Sequence, residues 1–432
     1  MQSDELCSGK STNRPAVPFL KTQIVFHNRR VWYLRNSSFI VHRSSFIVHR
    51  SYFILKIAIN TRFLLPDLEG LGWYTHEIAQ RLAARHPEDE FLFLFDRSFE
   101  GRFVYGPNVT ALALFPPARH PFLWWWWFES SVPRALRLWG AGVFFSPDSY
   151  LSLKAKVPTV MTVHDLAPLH RPEGIPWLIR KYYQYYLPKF LHRADHILTV
   201  SEYVRQDIAL TAGVDLSRIS VAYNGCRAGF VPLQNIEKEE VRNKYADGKE
   251  YFFYTGAIHP RKNILRLIRA FDQFKTRTGA PVQLLLAGRM AWQTGEVTTA
   301  YEQARSQADI HFLGYVPESE LPRLMAAALA LTYVSLSEGF GLPMLEAMHT
   351  DTPVLAARAT CLPEIAGEAA LLVDPLSETA IAQGLEKIWT DRTFARTLVE
   401  NGRRQREKFS WDVAAEHIYE VLKKTVGTPD QS

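Results

Sequence analysis

Short unbroken apolar runs alternate along this chain with longer stretches in which apolar positions recur every three or four residues. A run that is apolar on both faces suits a strand covered on both sides, the signature of a parallel sheet. Such runs stand at Lys56–Asn60, Glu90–Phe95, Val109–Leu114, Pro158–Val163, Asp195–Val200 and Ile219–Tyr223. A second series follows at Tyr251–Thr255, Val282–Ala287, Ile310–Leu313, Ala328–Val334 and Val354–Ala357. Helical periodicity fills the gaps, at Tyr74–Arg85 (Ile78, Ala79 and Leu82 on one face), Ile175–Arg193, Ile264–Lys275, Glu378–Trp389, Phe394–Phe409 and Trp411–Lys424. Ser201 caps a further helix, with Glu202 and Asp207 in its early turns. The pattern predicts an α/β protein of two successive Rossmann-like arrays. Between them Cys226–Ile236 holds Gly229 and Pro232 without periodicity and reads as a hinge. The predicted division is an N-terminal domain over 56–225, a hinge over 226–236, a C-terminal domain over 237–408 and a last helix and tail over 409–432.

The start of the chain breaks the pattern. Ser37-Ser38-Phe39-Ile40-Val41-His42-Arg43 recurs as Ser44-Ser45-Phe46-Ile47-Val48-His49-Arg50. No apolar core with a small-residue cleavage site marks a signal peptide there. The repeat reads either as a short β-hairpin or targeting segment or as translated repeat DNA; on the second, preferred reading residues 1–55 are expected to be a poorly packed extension foreign to the fold, with the protein proper starting near Leu55. Composition changes the picture little: 432 residues suffice for two large domains, and 47% hydrophobic with 22% charged residues is ordinary. A net charge of +6 permits a nucleotide phosphate or an anionic membrane surface as partner without demanding either. Three widely spaced cysteines without a CxxC argue for a reducing compartment and against structural zinc. The expected location is cytoplasmic, with peripheral contact at the inner membrane face, and no nucleic-acid partner is expected.

Candidate chemistry concentrates where strands give way to helices. Ser337-Glu338-Gly339-Phe340-Gly341-Leu342-Pro343-Met344-Leu345-Glu346 follows an apolar strand and opens a helix, with Pro343 in the first turn. Its glycines let backbone amides approach an anion at the helix N-terminus. Gly256-Ala257-Ile258-His259-Pro260-Arg261-Lys262-Asn263 puts two cations at a strand-to-helix junction, where they suit a diphosphate. Nothing in the chain resembles an Asp-x-Asp metal site. Thr162-Val163-His164-Asp165-Leu166 ends another strand, at the edge where ligands bind doubly wound sheets. Gly70-Leu71-Gly72 opens the Tyr74–Arg85 helix and suits either a phosphate or a plain tight turn. Trp124-Trp125-Trp126-Trp127 cannot all face one core. Followed by Arg134 and Arg137, the block fits a membrane headgroup layer or an interdomain wall lining an acceptor cleft.

EGFGLPMLEA, with Glu338 and Glu346 separated by seven residues, resembles the donor-site motif of the retaining GT-B glycosyltransferases of family 4. GAIHPRKN, TVHDL and His196–Arg205 are similar to further segments of that family, and the likeness extends over roughly Lys56 to Lys424. It implies a GT-B fold: two Rossmann-like domains facing a cleft, the last helix crossing back to the first. The second domain would hold a nucleoside-diphosphate sugar, a GDP- or UDP-sugar, as donor, with no metal and no other cofactor. Lys262 and Arg261 would stabilise the departing diphosphate, Glu338 would position the sugar hydroxyls, and Glu346 would take the ribose. His164 would meet the sugar from the acceptor side. Gly72, Gly256, Gly339, Phe340, Gly341 and Leu342 would line the donor, and Tyr315 and Val316 would bracket its base or form a plain turn. Trp124, Trp125 and Asp165 belong to the acceptor side; Asp165 would orient His164 or loop amides, or cap a turn. Two positions depart from the family: Glu69 where a second glycine is usual, and Ala257 where an arginine is usual.

The nearest flavour within that family is the bacterial mannosyl- and related transferases of surface polysaccharide and lipopolysaccharide. A soluble synthase of a small glycoside and a non-catalytic nucleotide-sugar- or glycan-binding protein are the alternatives. An NAD-dependent enzyme lacks a full GxGxxG with an acidic residue beyond it.

Overall fold

The computed structural model describes residues 54–171, 175–290 and 295–427; the tandem repeat and residues 1–53 of the expected 1–55 extension lie outside them. Leu55 is part of the fold rather than of that extension, because its side chain is buried in the core and its amide donates to Asp89 at 2.8 Å. Seven strands form one wholly parallel sheet: β1 Lys56–Asn60, β2 Glu90–Phe95, β3 Val109–Ala113, β4 Val143–Ser146, β5 Thr159–Val163, β6 His196–Thr199 and β7 Ile219–Val221. Their order is β3-β2-β1-β4-β5-β6-β7. Six more form a second parallel sheet: β8 Tyr251–Thr255, β9 Gln283–Ala287, β10 Ile310–Gly314, β11 Ala330–Tyr333, β12 Val354–Ala357 and β13 Ala370–Val373. Here the order is β10-β9-β8-β11-β12-β13. In each sheet the strand order reverses beside the first strand, β1 between β2 and β4, β8 between β9 and β11. A crevice opens at such a switch point, at the carboxyl ends of the strands.

The central strands are apolar on both faces because helices cover both. All four residues of β4 and all five of β8 and β9 are buried. The β4 run is short and lies between two glycines and a proline, so it carries little signal by itself. At β13 three of the four residues are only half-buried, as befits one of the two edge strands of this sheet. The structure also corrects two boundaries. The first helix begins at Gly70 rather than Tyr74, because Glu69 is extended and the glycines enter the first turn. The connection between domains ends earlier than the expected 226–236, since Gln234 closes a capping box with Glu237 and a helix runs over Asn235–Ala246.

The chain crosses between the domains twice. Residues 222–234 lead from β7 to the Asn235–Ala246 helix. Beyond a helix at Arg392–Gln405 the chain returns, and its last helix, Trp411–Gly427, packs on the Gly70–Arg85 helix and over β4, β5 and β6. Tyr419 on this last helix donates to Asp89 at 2.8 Å, and Arg81 of the first helix pairs with Asp412 at 2.7 Å. The crossings touch: a Cβ on Gly225 would lie 2.3 Å from the Trp411 backbone nitrogen.

Candidate active site

A cavity of about 620 Å³ lies between the domains, at the carboxyl ends of β5, β8, β9 and β11. Its core is a buried charge cluster. Glu338 is 7% exposed and takes Lys262 Nζ on Oε1 at 2.6 Å and Arg261 Nη1 on Oε2 at 3.1 Å. Lys262 also reaches the Tyr333 hydroxyl at 3.1 Å, and Arg261 donates to the Ser337 carbonyl at 2.6 Å. Burial by itself would raise the Glu338 carboxyl, but Lys262 and Arg261 outweigh it and hold the pKa at about 2. The same burial pulls Lys262 below the usual lysine range, opposed by Glu338. Both cations stand on the short turn Pro260–Lys262, after which Asn263 takes a left-handed conformation and its amide ties Val334 to Pro375.

The glycine loop sits directly beneath. Gly341, at φ 96°, turns the chain into the helix Leu342–His349, whose N-terminus faces the cavity. Gly339 meets the other domain: a Cβ there would lie 1.7 Å from the His164 carbonyl oxygen, so only glycine fits. Ser201, at the start of the Glu202–Ala212 helix, donates to the Gly339 carbonyl at 2.7 Å. Glu364, in the second domain's Leu362–Ala366 helix, extends the same contact. Its carboxylate accepts the amides of Glu202 at 2.7 Å and Tyr203 at 2.9 Å and the Tyr223 hydroxyl at 3.0 Å. A negative charge from one domain thus occupies the positive helix end of the other.

His164 faces the same space. Its Nε2 lies 2.9 Å from the Pro147 carbonyl, which only accepts, so Nε2 carries the proton and Nδ1 is left as an acceptor. Burial lowers its pKa, so the ring is neutral near pH 7. Asp165 caps a turn through the Ala167 amide at 3.0 Å, with its other oxygen 3.9 Å from Arg261.

Glu346, only 2% exposed, is held by a residue that sequence reading passed over. Arg227, in the connection between domains, brings Nε to 2.8 Å and Nη2 to 2.7 Å of the same oxygen, Oε1. Burial raises the Glu346 carboxyl, and Arg227 works against that rise. Every carboxylate lining the cavity has a cation partner: Glu69 with Arg289, Asp165 with Arg261, Glu318 and Glu346 with Arg227, and Glu338 with Lys262.

Of the remaining expected residues, Gly256, Tyr315, Val316, Gly339, Phe340, Gly341 and Leu342 line the cavity. The Phe340 ring packs edge-on against Phe409 at 5.6 Å, so the ring supports the loop while its backbone lines the space. Gly72 does not line it. This residue sits inside the first helical turn, where a Cβ would come within 2.7 Å of the Phe63 carbonyl, so its smallness serves packing. Trp124 and Trp125 are also outside the cavity. Trp124 is committed to the first domain, its Nε1 donating to Ala118 at 2.7 Å and its ring against Tyr150 and Tyr182, while Trp125 is exposed.

Two doubly wound domains meeting over a charged glycine loop, with the last helix returned to the first domain, make this a GT-B fold. Residues 68–228 match the family described as Glycosyltransferase Family 4, and residues 235–405 match Glycosyl transferases group 1. The chain is 30% identical to O-antigen chain mannosyltransferase B of Escherichia coli over 369 residues, 83% of this chain and 97% of that one. It is 31% identical to O-antigen chain mannosyltransferase RfbU of Salmonella typhimurium, over 53% of this chain and 60% of that one. The solved structure of Anabaena HepE in complex with UDP-glucose shares the fold, with a TM-score of 0.68 and 19% identity over 86% of this chain and all of that one. The chain belongs to the group 1, family 4 glycosyltransferases.

Proposed function

We propose that this protein moves a sugar from a nucleoside-diphosphate sugar to a glycan or lipid-linked acceptor in surface-polysaccharide assembly, with retention of anomeric configuration and without a metal. The observation that carries the reading is the pair of cations, Lys262 and Arg261, clamped on Glu338 above the glycine loop in a cavity of about 620 Å³. Mannose is the first sugar to test, because two relatives are named as O-antigen mannosyltransferases.

In the proposed cycle the donor diphosphate enters beside Lys262 and Arg261 and takes over part of their pairing with Glu338. The anionic diphosphate oxygens are met by cations whose positions are already set, so little reorganisation is needed. Glu338, partly released, accepts hydrogen bonds from sugar hydroxyls, and Glu346, fixed by Arg227, accepts from the ribose. Neutral His164 offers Nδ1 to a sugar hydroxyl from the other domain. The acceptor oxygen bonds to the anomeric carbon on the face from which the phosphate leaves. The C–O bond to phosphate breaks, and the acceptor proton passes to the departing phosphate oxygen. Because all five cavity carboxylates already have cation partners, no one of them is set apart as the nucleophile of a double displacement. That supports front-face transfer over a covalent intermediate.

The test is a thermal-shift panel of GDP, UDP and ADP with their sugars, each with and without magnesium. A ligand at a hundred times its dissociation constant stabilises by about 2.7 kcal/mol. The expected result is a magnesium-independent shift from one nucleotide, abolished in Lys262→Ala. A shift that survives this substitution, or one that needs magnesium, contradicts the clamp.

A further inference from the structure

The first domain carries an aromatic surface that lies outside the cavity. Residues Pro121–Trp139 run as one helix interrupted by a π turn over Trp127–Ser131. The wide turn drives Trp127 and Phe128 fully into the core. It leaves Phe122, Trp125 and Trp126 on the surface, 71%, 41% and 56% exposed. The Trp177–Arg193 helix lies against this segment through Trp124 and Tyr182, rings 5.3 Å apart. On that helix Trp177, Lys181, Tyr185 and Lys189 follow at four-residue intervals and are all exposed, a stripe alternating ring and cation. Lys189 Nζ lies 3.5 Å from the Tyr185 ring centre, and Lys154 Nζ 5.5 Å from that of Trp125. Between residues 115 and 192 the described carboxylates are Glu129, Asp148 and Asp165; the first two are buried and the third lies in the cleft.

We propose that this face docks on an anionic lipid bilayer, the rings at headgroup depth and the lysines on lipid phosphates. The inference rests on the reading of a lipid-linked acceptor and deepens it. Indole and phenol rings favour the interface, and basic side chains supply the attraction to anionic lipid. A second copy of this chain suits the face poorly, since a two-fold contact would set these lysines against their own kind with no acid among the described residues of the stripe. The surface is tied to the cleft by contiguous packing. Trp124 meets Tyr150 at 5.5 Å, and Tyr150 lies over Arg62 at 4.0 Å. Arg62 pairs with Asp148 at 3.0 Å, and next to Asp148 the Pro147 carbonyl takes His164 Nε2.

The experiment is co-sedimentation of the full chain with vesicles of phosphatidylglycerol and phosphatidylcholine, against phosphatidylcholine alone. Binding is expected on the anionic vesicles only, weakened by salt, with tryptophan emission quenched by brominated lipid. Lys181→Ala and Lys189→Ala should each weaken it about fivefold. The double change Trp125→Ser, Trp126→Ser should weaken it roughly tenfold or more. Each variant is first shown to keep the parent's circular dichroism and melting temperature, which establishes that it is folded. Variants that are folded yet bind as tightly as the parent overturn the proposal, as does equal binding to neutral vesicles. So does a dimer in light scattering that the tryptophan changes dissociate. Vesicle binding through these residues without any nucleotide shift would retire the transferase reading and leave the docking face in place.

Discussion

Glu364 makes no contact with the clamp, yet its replacement is expected to slow the reaction. Its carboxylate spans the domains, taking two amides at the start of the Glu202–Ala212 helix and the Tyr223 hydroxyl. Glu364→Gln keeps the shape and one acceptor oxygen but removes the charge and turns an NH₂ toward an N–H. A charge at a helix N-terminus is worth up to about 2 kcal/mol when partly buried, and less when exposed. Tyr203 and Glu202 are partly solvated, which places the loss at about 1–2 kcal/mol, a factor of roughly 5–30 in the balance between joined and parted domains. If the cleft works only when Gly339 rests on His164, kcat/KM falls by up to that factor, in full where parted domains predominate in the variant, and Glu364→Ala falls at least as far. The melting temperature should hardly move, since water can satisfy all these groups once the domains part. Steady-state transfer kinetics give the first number, and solution scattering with and without nucleotide gives the second, as a larger radius of gyration in the variant. A Glu364→Ala protein with wild-type kcat/KM and wild-type radius would refute the reasoning.

Gly339→Ala puts a Cβ where the His164 carbonyl stands, 1.7 Å away. The domains must then separate by an ångström or more, and a misplacement of that size costs about a hundredfold in rate, read as kcat/KM against unchanged circular dichroism. The Glu338 carboxyl, lowered from 4.5 to about 2, stabilises the fold by about 3 kcal/mol above pH 4.5, at about 1.4 kcal/mol per pH unit. Since the folded value is the depressed one, this contribution is lost as pH falls from 4.5 toward 2. Burial of Lys262 works against the pair, so its net worth at neutral pH is less than the carboxyl contribution alone. Urea titrations should show the gap between wild type and Glu338→Gln narrowing by more than half between pH 7 and pH 3. A gap independent of pH would mean that Glu338 is not held ionised by these cations.

Most of the fold was readable because buried parallel strands leave long apolar runs, and the glycine loop because its residues stand together in the chain. β4 was not, since four residues set between glycines and a proline carry too little signal, and its identity as a central strand comes from its neighbours β1 and β5. Ser201 was legible as a helix cap, and its hydroxyl does accept the Val204 amide at 3.3 Å. Its second bond, to Gly339, joins residues 138 apart and has no local trace. Arg227 and Glu364 were missed for the same reason: each acts across a domain boundary, on a group more than a hundred residues away. The tryptophan block was legible in part: it divides between core and surface as expected, but which residue goes where was not readable. Four identical residues in a row give no period, and it is the π turn that decides which face the core and which face solvent.

The contact between Gly225 and Trp411 brings the two crossings together at one place. Two straps fastened side by side, one leaving the first domain and one returning to it, behave like the paired pins of a hatch. They allow swing about the line through them and resist twist and sliding. One rotational freedom is then enough to describe opening, and a residue's travel grows with its distance from that line. Phe409, packed on Tyr223 and Phe340 close to the straps, would barely shift. Arg289 and Glu69, paired at 2.9 Å in an exposed contact between the domains, would be the lips that part. In such a hinge a small angle at the straps would set the width of the cleft.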